Sequence, residues 1–252
     1  MALSKNAIKY VKSLHLKKFR QKYNNFIVEG DKIVRELLTQ STFEIEALFG
    51  LPDWLATNKL PPQLSATQIN AISLADLERI STLKTPNQVL LIVRQPPLMD
   101  ASAAISSSLS LYLEDIRDPG NLGTIIRIAD WFGIPYVFCS NTSVEWTNPK
   151  VLQATMGSFL RIKVLQKDLP DLLALYPSLP VYGAVLEGKS IQEIAKPSSG
   201  VVVIGNESRG ISAETLPLLT HRITIPKHPA GGAESLNAAV AAGIICAAMT
   251  MK

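Results

Sequence analysis

Hydrophobic positions follow two patterns along the chain, short apolar runs and longer stretches with helical spacing. In the first 97 residues the short runs predict strands at 26–30, 45–49 and 89–93. Helices are predicted at 31–38, which opens with an acidic residue, and at 67–72 and 74–81. This region is therefore predicted to be a small α/β domain.

From residue 109 onwards, strands and helices alternate more regularly. Strands are predicted at 109–113, 136–139, 160–165, 181–186, 201–204 and 222–225. Helices are predicted at 122–131, 149–158, 169–175 and from about 236. Such alternation is typical of buried, mostly parallel strands with flanking helices. Pro96 and Pro97 end the previous strand, so we predict domains at 1–97 and 109–252 and a linker at 98–108.

Positive charge is concentrated near the N-terminus. Residues 1–100 contain 13 Lys and Arg against 9 Asp and Glu, whereas residues 101–252 contain 12 of each. A clustered excess of one sign indicates contact with RNA phosphates, because it releases counterions. A solvated helix face and an organellar presequence are the alternatives. The residues predicted to bind RNA are Lys9, Lys12, Lys17, Lys18, Arg20 and Lys22.

The composition argues against several other classes of protein. With 47% hydrophobic and 18% charged residues, the chain is expected to fold compactly. Cys139 and Cys246 are far apart and have no further ligand at zinc spacing, so we expect neither disulfides nor a metal site, and a cytoplasmic location fits. The stretch 235–251 is shorter than the ~20 apolar residues of a membrane span, and no secretory signal is visible.

Three polar segments follow predicted strands, where open α/β sheets bind their ligands. They are the turn at 118–127, the turn at 205–210 and the loop that follows residue 225. None contains the glycine pattern of a dinucleotide-binding loop or a phosphate loop, so a nicotinamide-dependent dehydrogenase is disfavoured.

Each segment also has a purely structural explanation. Asn121 can cap the helix after the first turn, and Glu234 or Ser235 can cap the last helix. Glu207 and Arg209 can form a solvated ion pair. A catalytic interpretation therefore depends on the three segments occurring together.

Taken together, the three segments resemble the motifs of the SpoU family of knotted SPOUT methyltransferases. The turn 121–127, the Gly-Asn-Glu turn at 205–207, and Ile-Pro at 225–226 with Ser-Leu-Asn at 235–237 match the family's three motifs in order. The basic N-terminal region is similar to the family's substrate-binding domain, which is related in fold to ribosomal RNA-binding proteins. The loop 227–233 is about two residues longer than the family pattern.

This resemblance implies an RNA ribose 2′-O-methyltransferase that uses S-adenosylmethionine, acts as a homodimer and contains a trefoil knot near its C-terminus. It implies ribosomal RNA, in particular 23S rRNA, as the substrate ahead of tRNA. The cofactor would be held by Gly205, Ile225 and Leu236. The implied catalytic and substrate-contacting residues are Arg127, Asn121, Glu207, Ser235 and Asn237.

The resemblance implies that Arg127 acts as the general base, although arginine side chains normally stay protonated in proteins. Two roles are therefore open: an unusual base assisted by an RNA phosphate, or a cation that stabilises the ribose alkoxide. Asn121 and Glu207 are expected to position Arg127 or the ribose, while Ser235 and Asn237 shape the pocket. The alternative function is a catalytically inactive RNA-binding or ribosome-assembly protein with the same fold.

Overall fold

The computed structural model describes residues 3–40, 43–97 and 103–251. These residues form two compact units. The first comprises the chain up to Pro97 together with Thr147–Leu160, and the second comprises the rest, up to Trp146 and from Arg161 onwards. The functional domain limits stay a prediction, and residues 98–102 of the predicted linker lie outside the described residues.

The first unit contains a four-stranded sheet and short helices. In chain order its elements are α1 (Lys5–Ser13), α2 (Lys17–Tyr23), β1 (Asn25–Glu29), α3 (Asp31–Thr39), β2 (Ile45–Gly50), α4 (Pro52–Thr57), β3 (Ile69–Ala71), α5 (Leu74–Ile80) and β4 (Val89–Arg94). The sheet order is β1-β4-β2-β3, and only the β2–β3 pair is parallel. The predicted α/β domain is confirmed, as are its strands at β1, β2 and β4 and its helices at α3 and α5.

The predicted helix at 67–72 is wrong. Residues Ile69–Ala71 form β3, which pairs in parallel with β2, Leu48 opposite Ile69. The edge of β2 supplies hydrogen-bond partners for the backbone of residues 69–71. This pairing stabilises a strand more than the weak helical preference of the segment stabilises a helix.

The basic N-terminal residues form helices in this unit. Ser4 caps α1 by accepting a hydrogen bond from the backbone N–H of Ala7, and the helix buries Ile8 and Val11. The segment is thus part of the core of the first unit.

From Leu109 onwards the elements are β5 (Leu109–Leu113), α6 (Pro119–Trp131), β6 (Tyr136–Cys139), α7 (Pro149–Thr155), β7 (Lys163–Gln166), α8 (Leu169–Leu175), β8 (Val181–Ser190), β9 (Gly200–Ile204), β10 (His221–Thr224) and α9 (Ala238–Thr250). Helix α7 and the 3₁₀ turn Ser158–Leu160 belong to the first unit. The strand predicted at 160–165 begins only at Lys163, because residue 160 belongs to that turn and residues 161–162 continue the irregular backbone.

The second unit is built around a six-stranded sheet of order β10-β8-β9-β5-β6-β7, in which every pair is parallel. The predicted parallel α/β class is confirmed. Strands β5, β6 and β9 are buried along their whole length. Since all strands point the same way, the segments that follow β5, β9 and β10 lie along one edge of the sheet.

Strand β8 is irregular. Tyr182 and Gly183 pair with the start of β10, whereas Lys189 and Ser190 pair with its end, so the residues between them leave the ladder. None of the described helices is long and apolar enough to cross a membrane.

Candidate active site

Helix α6 carries Asn121 in its first turn. The helix begins at Pro119, earlier than the predicted residue 122, and its cap is Asp118. Oδ1 of Asp118 accepts a hydrogen bond from the backbone N–H of Asn121 at 2.8 Å. The interpretation of Asn121 as the cap is therefore wrong, and its side-chain amide is available for other contacts.

Helix α9 begins at Ala238 and is capped by Asn237, not by Glu234 or Ser235. Oδ1 of Asn237 accepts hydrogen bonds from the backbone N–H groups of Ala239 at 2.9 Å and of Val240 at 3.3 Å. The cap fixes the orientation of the amide and leaves Nδ2 free to donate elsewhere.

Glu207 lies in the turn that follows β9. The turn is closed by a pair of backbone hydrogen bonds between Asn206 and Gly210. Oδ1 of Asn206 also accepts from the backbone N–H groups of Ser208 at 3.0 Å and Arg209 at 3.1 Å. These bonds fix the backbone on both sides of Glu207.

A chain of hydrogen bonds joins these three motifs. Nδ2 of Asn237 donates to Oδ1 of Asn121 at 2.9 Å, and Nδ2 of Asn121 donates to Oε1 of Glu207 at 2.8 Å. The three side chains are 116 and 86 residues apart in sequence. Asn121 and Glu207 line an open cavity of about 550 Å³. One polar site is thus assembled from three distant segments, with Asn121 at its centre.

Arg127 and Ser235 are outside this network. Arg127 is exposed on α6 and makes no hydrogen bond or ion pair within the described part of the chain. Arg127 is six positions after Asn121, which corresponds to about 9 Å along the helix axis and to directions about two thirds of a turn apart around it. Ser235 is exposed in the loop before α9. The protomer by itself therefore does not bring Arg127 onto the Asn121–Glu207 pair.

The residues expected to hold the cofactor lie along the same sheet edge. Gly205 follows β9 and Ile225 follows β10, and since β8 lies between these strands they are about 10 Å apart by strand spacing. Leu236 is exposed, and within the described residues its backbone groups make no backbone hydrogen bond. These residues offer main-chain groups, which fits a nucleoside cofactor that is recognised through backbone hydrogen bonds.

Five of the six basic residues predicted to bind RNA are exposed, and Arg20 is not. Its side chain is 2% exposed, and Nη1 donates to the backbone carbonyls of Leu14 at 3.1 Å and His15 at 3.0 Å. Arg20 ties the C-terminal end of α1 to α2, because its guanidinium supplies donors to carbonyls that have no helical partner. Its predicted RNA contact is therefore incorrect. The exposed residues are Lys9, Lys12, Lys17, Lys18 and Lys22.

A second charged cluster, which is not among the predicted site residues, lies beside the cavity. Arg209 does not pair with Glu207; it forms an ion pair with Asp115, which follows β5 and also pairs with Arg117. Asp115 and Arg209 are 94 residues apart, so no local signal predicts the contact. Among the described residues, no group of three or more His, Cys, Asp and Glu side chains could hold a metal ion.

Comparison with known families agrees with this geometry. The sequence profile of the SpoU rRNA Methylase family matches residues 108–247. The chain belongs to the SpoU family. The profile of the MRM3-like substrate binding domain matches residues 5–91, so this SpoU protein carries that domain ahead of the methylase region. The resemblance stated from the three motifs is confirmed.

Similar proteins span nearly the whole chain. This SpoU protein is 32% identical to the 23S rRNA (guanosine(2553)-2′-O)-methyltransferase RlmP of Bacillus subtilis, over 94% of this chain and 93% of the relative. A TrmH-family structure from Porphyromonas gingivalis is 36% identical with a TM-score of 0.89, covering 99% and 98% of the two chains. An AdoMet-bound rRNA methyltransferase from Sinorhizobium meliloti is 26% identical with a TM-score of 0.85, covering 99% and 95%.

Proposed function

We propose that this protein transfers a methyl group from S-adenosylmethionine to a ribose 2′-hydroxyl of ribosomal RNA, in particular 23S rRNA. The observation that carries the proposal is the hydrogen-bonded chain Asn237–Asn121–Glu207, which unites one residue from each family motif. The named specificity of the Bacillus relative supports both the 2′-oxygen and the 23S substrate. A cytoplasmic location is the corresponding proposal for a ribosomal substrate of the bacterial type.

The cofactor proposal rests on main-chain groups near Gly205, Ile225 and Leu236, and the AdoMet-bound Sinorhizobium structure supports it. When bound, S-adenosylmethionine supplies a methyl group that its positively charged sulfur has already activated. The remaining requirement is to orient the ribose hydroxyl and to remove its proton.

We assign the orienting role to Asn121 and Glu207. Because Asn121 donates to Glu207 and accepts from Asn237, its amide cannot rotate without losing one of the two bonds. Such fixed polar groups can hold a hydroxyl without reorganising during the reaction. Arg127 takes the proton or stabilises the alkoxide, and Ser235 contributes to the pocket wall.

We propose that the active form is a homodimer formed through α6 and α9. Trp131 at the end of α6 is 84% exposed, and Val240 and Ile244 form an exposed apolar stripe on α9. The two helices lie against each other, with Gly243 beside Ile128. An apolar surface of this kind is typical of an interface between copies.

Arg127 lies on the exposed face of α6 that also carries Trp131, four residues further along. Pairing through this face would bring Arg127 to the Asn121–Glu207 pair of the partner subunit. The dimer proposal therefore also accounts for a catalytic arginine that lies away from its own protomer's network.

A trefoil knot is part of the proposal for the second unit. Strand β10 is at one edge of the sheet, yet α9, which follows it, packs against α6, the helix that follows β5. The segment between β10 and α9 must therefore return across the ends of β8 and β9. A return of this kind is compatible with the trefoil knot that the resemblance to the SpoU family implies.

The exposed lysines of α2 are proposed to bind the RNA. Residues 1–28 contain no acidic side chain. Lys18 Nζ lies 4.9 Å from the ring centroid of Phe19, and Lys22 Nζ lies 5.4 Å from that of Tyr23. The two rings stack on each other with centroids 6.2 Å apart. Lysines interleaved with partly exposed aromatic rings are typical of surfaces that bind unpaired nucleotides.

Replacing Lys17, Lys18 and Lys22 together with Gln is expected to weaken 23S rRNA binding and to lower the log–log salt slope by about 2, since each single-strand phosphate contact contributes about 0.7. Filter binding between low and high salt measures both effects. The charge-matched control replaces the exposed residues Lys32, Lys59 and Lys84 of the same unit. Equal losses in the two triple variants would contradict a specific role for α2.

The function itself is tested by incubating the protein with labelled S-adenosylmethionine and either unmodified 23S rRNA or bulk tRNA. We expect label in alkali-resistant dinucleotides of 23S rRNA, because a 2′-O-methyl group prevents alkaline cleavage at that position. Label that alkali releases as mononucleotides would contradict ribose methylation, and label in tRNA alone would contradict the ribosomal substrate. No transfer together with no cofactor binding would favour the RNA-binding or ribosome-assembly alternative.

A further inference from the structure

Asp115 is a buried carboxylate that holds two arginine side chains. Its side chain is 9% exposed, and Oδ1 accepts a hydrogen bond from Nε of Arg117 at 2.9 Å. Oδ2 accepts from Nη2 of Arg209 and from Nδ2 of Asn206, the latter at 3.2 Å. Nδ2 of Asn206 also donates to the backbone carbonyl of Asp115 at 2.9 Å. The turn after β9 is thereby attached to the end of β5.

These contacts keep Asp115 ionised. Burial by itself raises the pKa of the Asp115 carboxyl, but hydrogen bonds from Arg117 and Arg209 outweigh burial and hold the pKa below its ordinary value. Asp115 also has a φ of 54°, in the left-handed region. A residue held in this conformation and in this charge state gives its two partners a fixed anchor.

The two arginines keep most of their surface free. Each side chain is 67% exposed, and both line the cavity that contains Asn121 and Glu207. The cluster of Asp115, Arg117 and Arg209 by itself therefore carries one net positive charge.

The other carboxylates of the cavity have separate donors. Asp118 accepts from the backbone N–H of Asn121, and Glu207 accepts from the Asn121 side chain. Neither forms an ion pair with Arg117 or Arg209 among the described contacts. The outer faces of the guanidinium groups therefore remain available to an anion from solution.

We propose that Asp115 is a positioning residue that holds Arg117 and Arg209 as a two-armed site for an RNA phosphodiester next to the ribose being methylated. The inference rests on the proposed function, and it adds a phosphate subsite to the catalytic and cofactor residues that the three motifs imply. Each ribose in RNA has a phosphate on either side, so a ribose placed at Asn121 brings a phosphate to the cavity rim. Planar guanidinium groups suit this ligand, and anchoring them in advance lowers the entropic cost of binding.

The first test compares Arg117→Ala/Arg209→Ala with the wild type in methyl transfer to 23S rRNA. We expect KM for RNA to rise about tenfold or more, because charge-assisted hydrogen bonds are lost, while kcat stays within about twofold. The slope of log KM against log salt should fall by about 1. Cofactor affinity, measured by calorimetry, should not change.

The matched control is Arg161→Ala, which removes another ion-paired arginine of the same unit. Arg161 pairs with Asp130 at 2.7 Å and does not line the cavity. We expect its KM and salt slope to equal those of the wild type. The same changes in Arg161→Ala and in the double variant would overturn the proposal.

The positioning role is tested with Asp115→Asn, because asparagine has the same size and tolerates a positive φ. We expect this variant to raise KM, and we expect no further increase when it is added to Arg117→Ala/Arg209→Ala, because the asparagine Oδ1 can still accept from Asn206 and only the bonds to the arginines are lost. An added effect on KM in that background would overturn the positioning role. The arginine variants test the phosphate site even if Asp115→Asn folds poorly, which a thermal melt would reveal.

Failure of the inference is distinguishable from failure of the proposed function. A wild-type protein that methylates ribose and an arginine variant with an unchanged KM would overturn the phosphate site alone. A wild-type protein that transfers no methyl group to any RNA would overturn the proposed function, and the phosphate site with it.

Discussion

Gly205→Ala is expected to reduce methyl transfer by about 100-fold or more, because a displacement of the turn after β9 by about 1 Å misplaces Glu207. A Cβ atom at Gly205 would lie 2.2 Å from the carbonyl carbon of Gly210 and 2.4 Å from the backbone N of Ile211. Both atoms belong to the backbone, so the turn itself must move. We also expect the free energy of unfolding to fall by about 1–3 kcal/mol, as for other overpacked sites.

Gly183→Ala is the matched control in the same sheet. A Cβ atom at Gly183 would lie 2.3 Å from Cδ1 of Leu219, but this atom is the end of a flexible side chain and can rotate away. We expect near wild-type activity and a smaller loss of stability. Steady-state methyl transfer and denaturant unfolding measure the two effects. Wild-type activity in Gly205→Ala would show that the turn adapts without displacing Glu207.

Elements with a strong local pattern could be predicted from the sequence. Strands β5, β6 and β9 are continuous apolar runs, and all three lie at the predicted positions. Strand β3 has only three residues, and its hydrogen-bond partner, β2, is about 20 positions away in the chain. A local pattern does not contain that information, which is why sequence reasoning alone predicts a helix for this segment.

In the candidate site, too, some features follow from local sequence and others depend on distant partners. The motif residues Asn121, Glu207 and Asn237 could be selected from the sequence because each follows a strand or begins a helix. Which of them donates to which could not be predicted, because it depends on which residue caps each helix. Asp118 caps α6, and this leaves the Asn121 amide free, whereas Asn237 caps α9 and still donates to Asn121.

Charge pairing was the least predictable property. Glu207 and Arg209 are only two positions apart in sequence, but their side chains have different partners, Asn121 and Asp115. Arg20 belongs to the basic N-terminal cluster, yet it is buried and serves backbone carbonyls. Counting charges identifies a basic region, but only the packing around each side chain decides which charges reach solvent.

Arg127→Ala is expected to lower kcat by about 10²–10⁴, since either proposed role acts on the ribose oxygen in the transition state. Within the protomer Arg127 is exposed and has no partner among the described residues, so we expect each subunit to fold as the wild type does and cofactor affinity to stay at its wild-type value. Single-turnover methyl transfer to 23S rRNA measures the effect, and Arg161→Ala is the control. A wild-type rate would contradict both proposed roles of Arg127.

Mixed dimers can then decide which subunit Arg127 serves. One subunit carries Arg127→Ala and the other Glu207→Ala, with different tags so that the mixed dimer can be purified. If Arg127 acts on its partner's Asn121–Glu207 pair, one of the two sites is intact and about half of the wild-type activity returns. Both parent variants must be inactive by themselves. An inactive mixed dimer that still binds cofactor would assign Arg127 to its own protomer, and α6 would then have to move to bring it to Glu207.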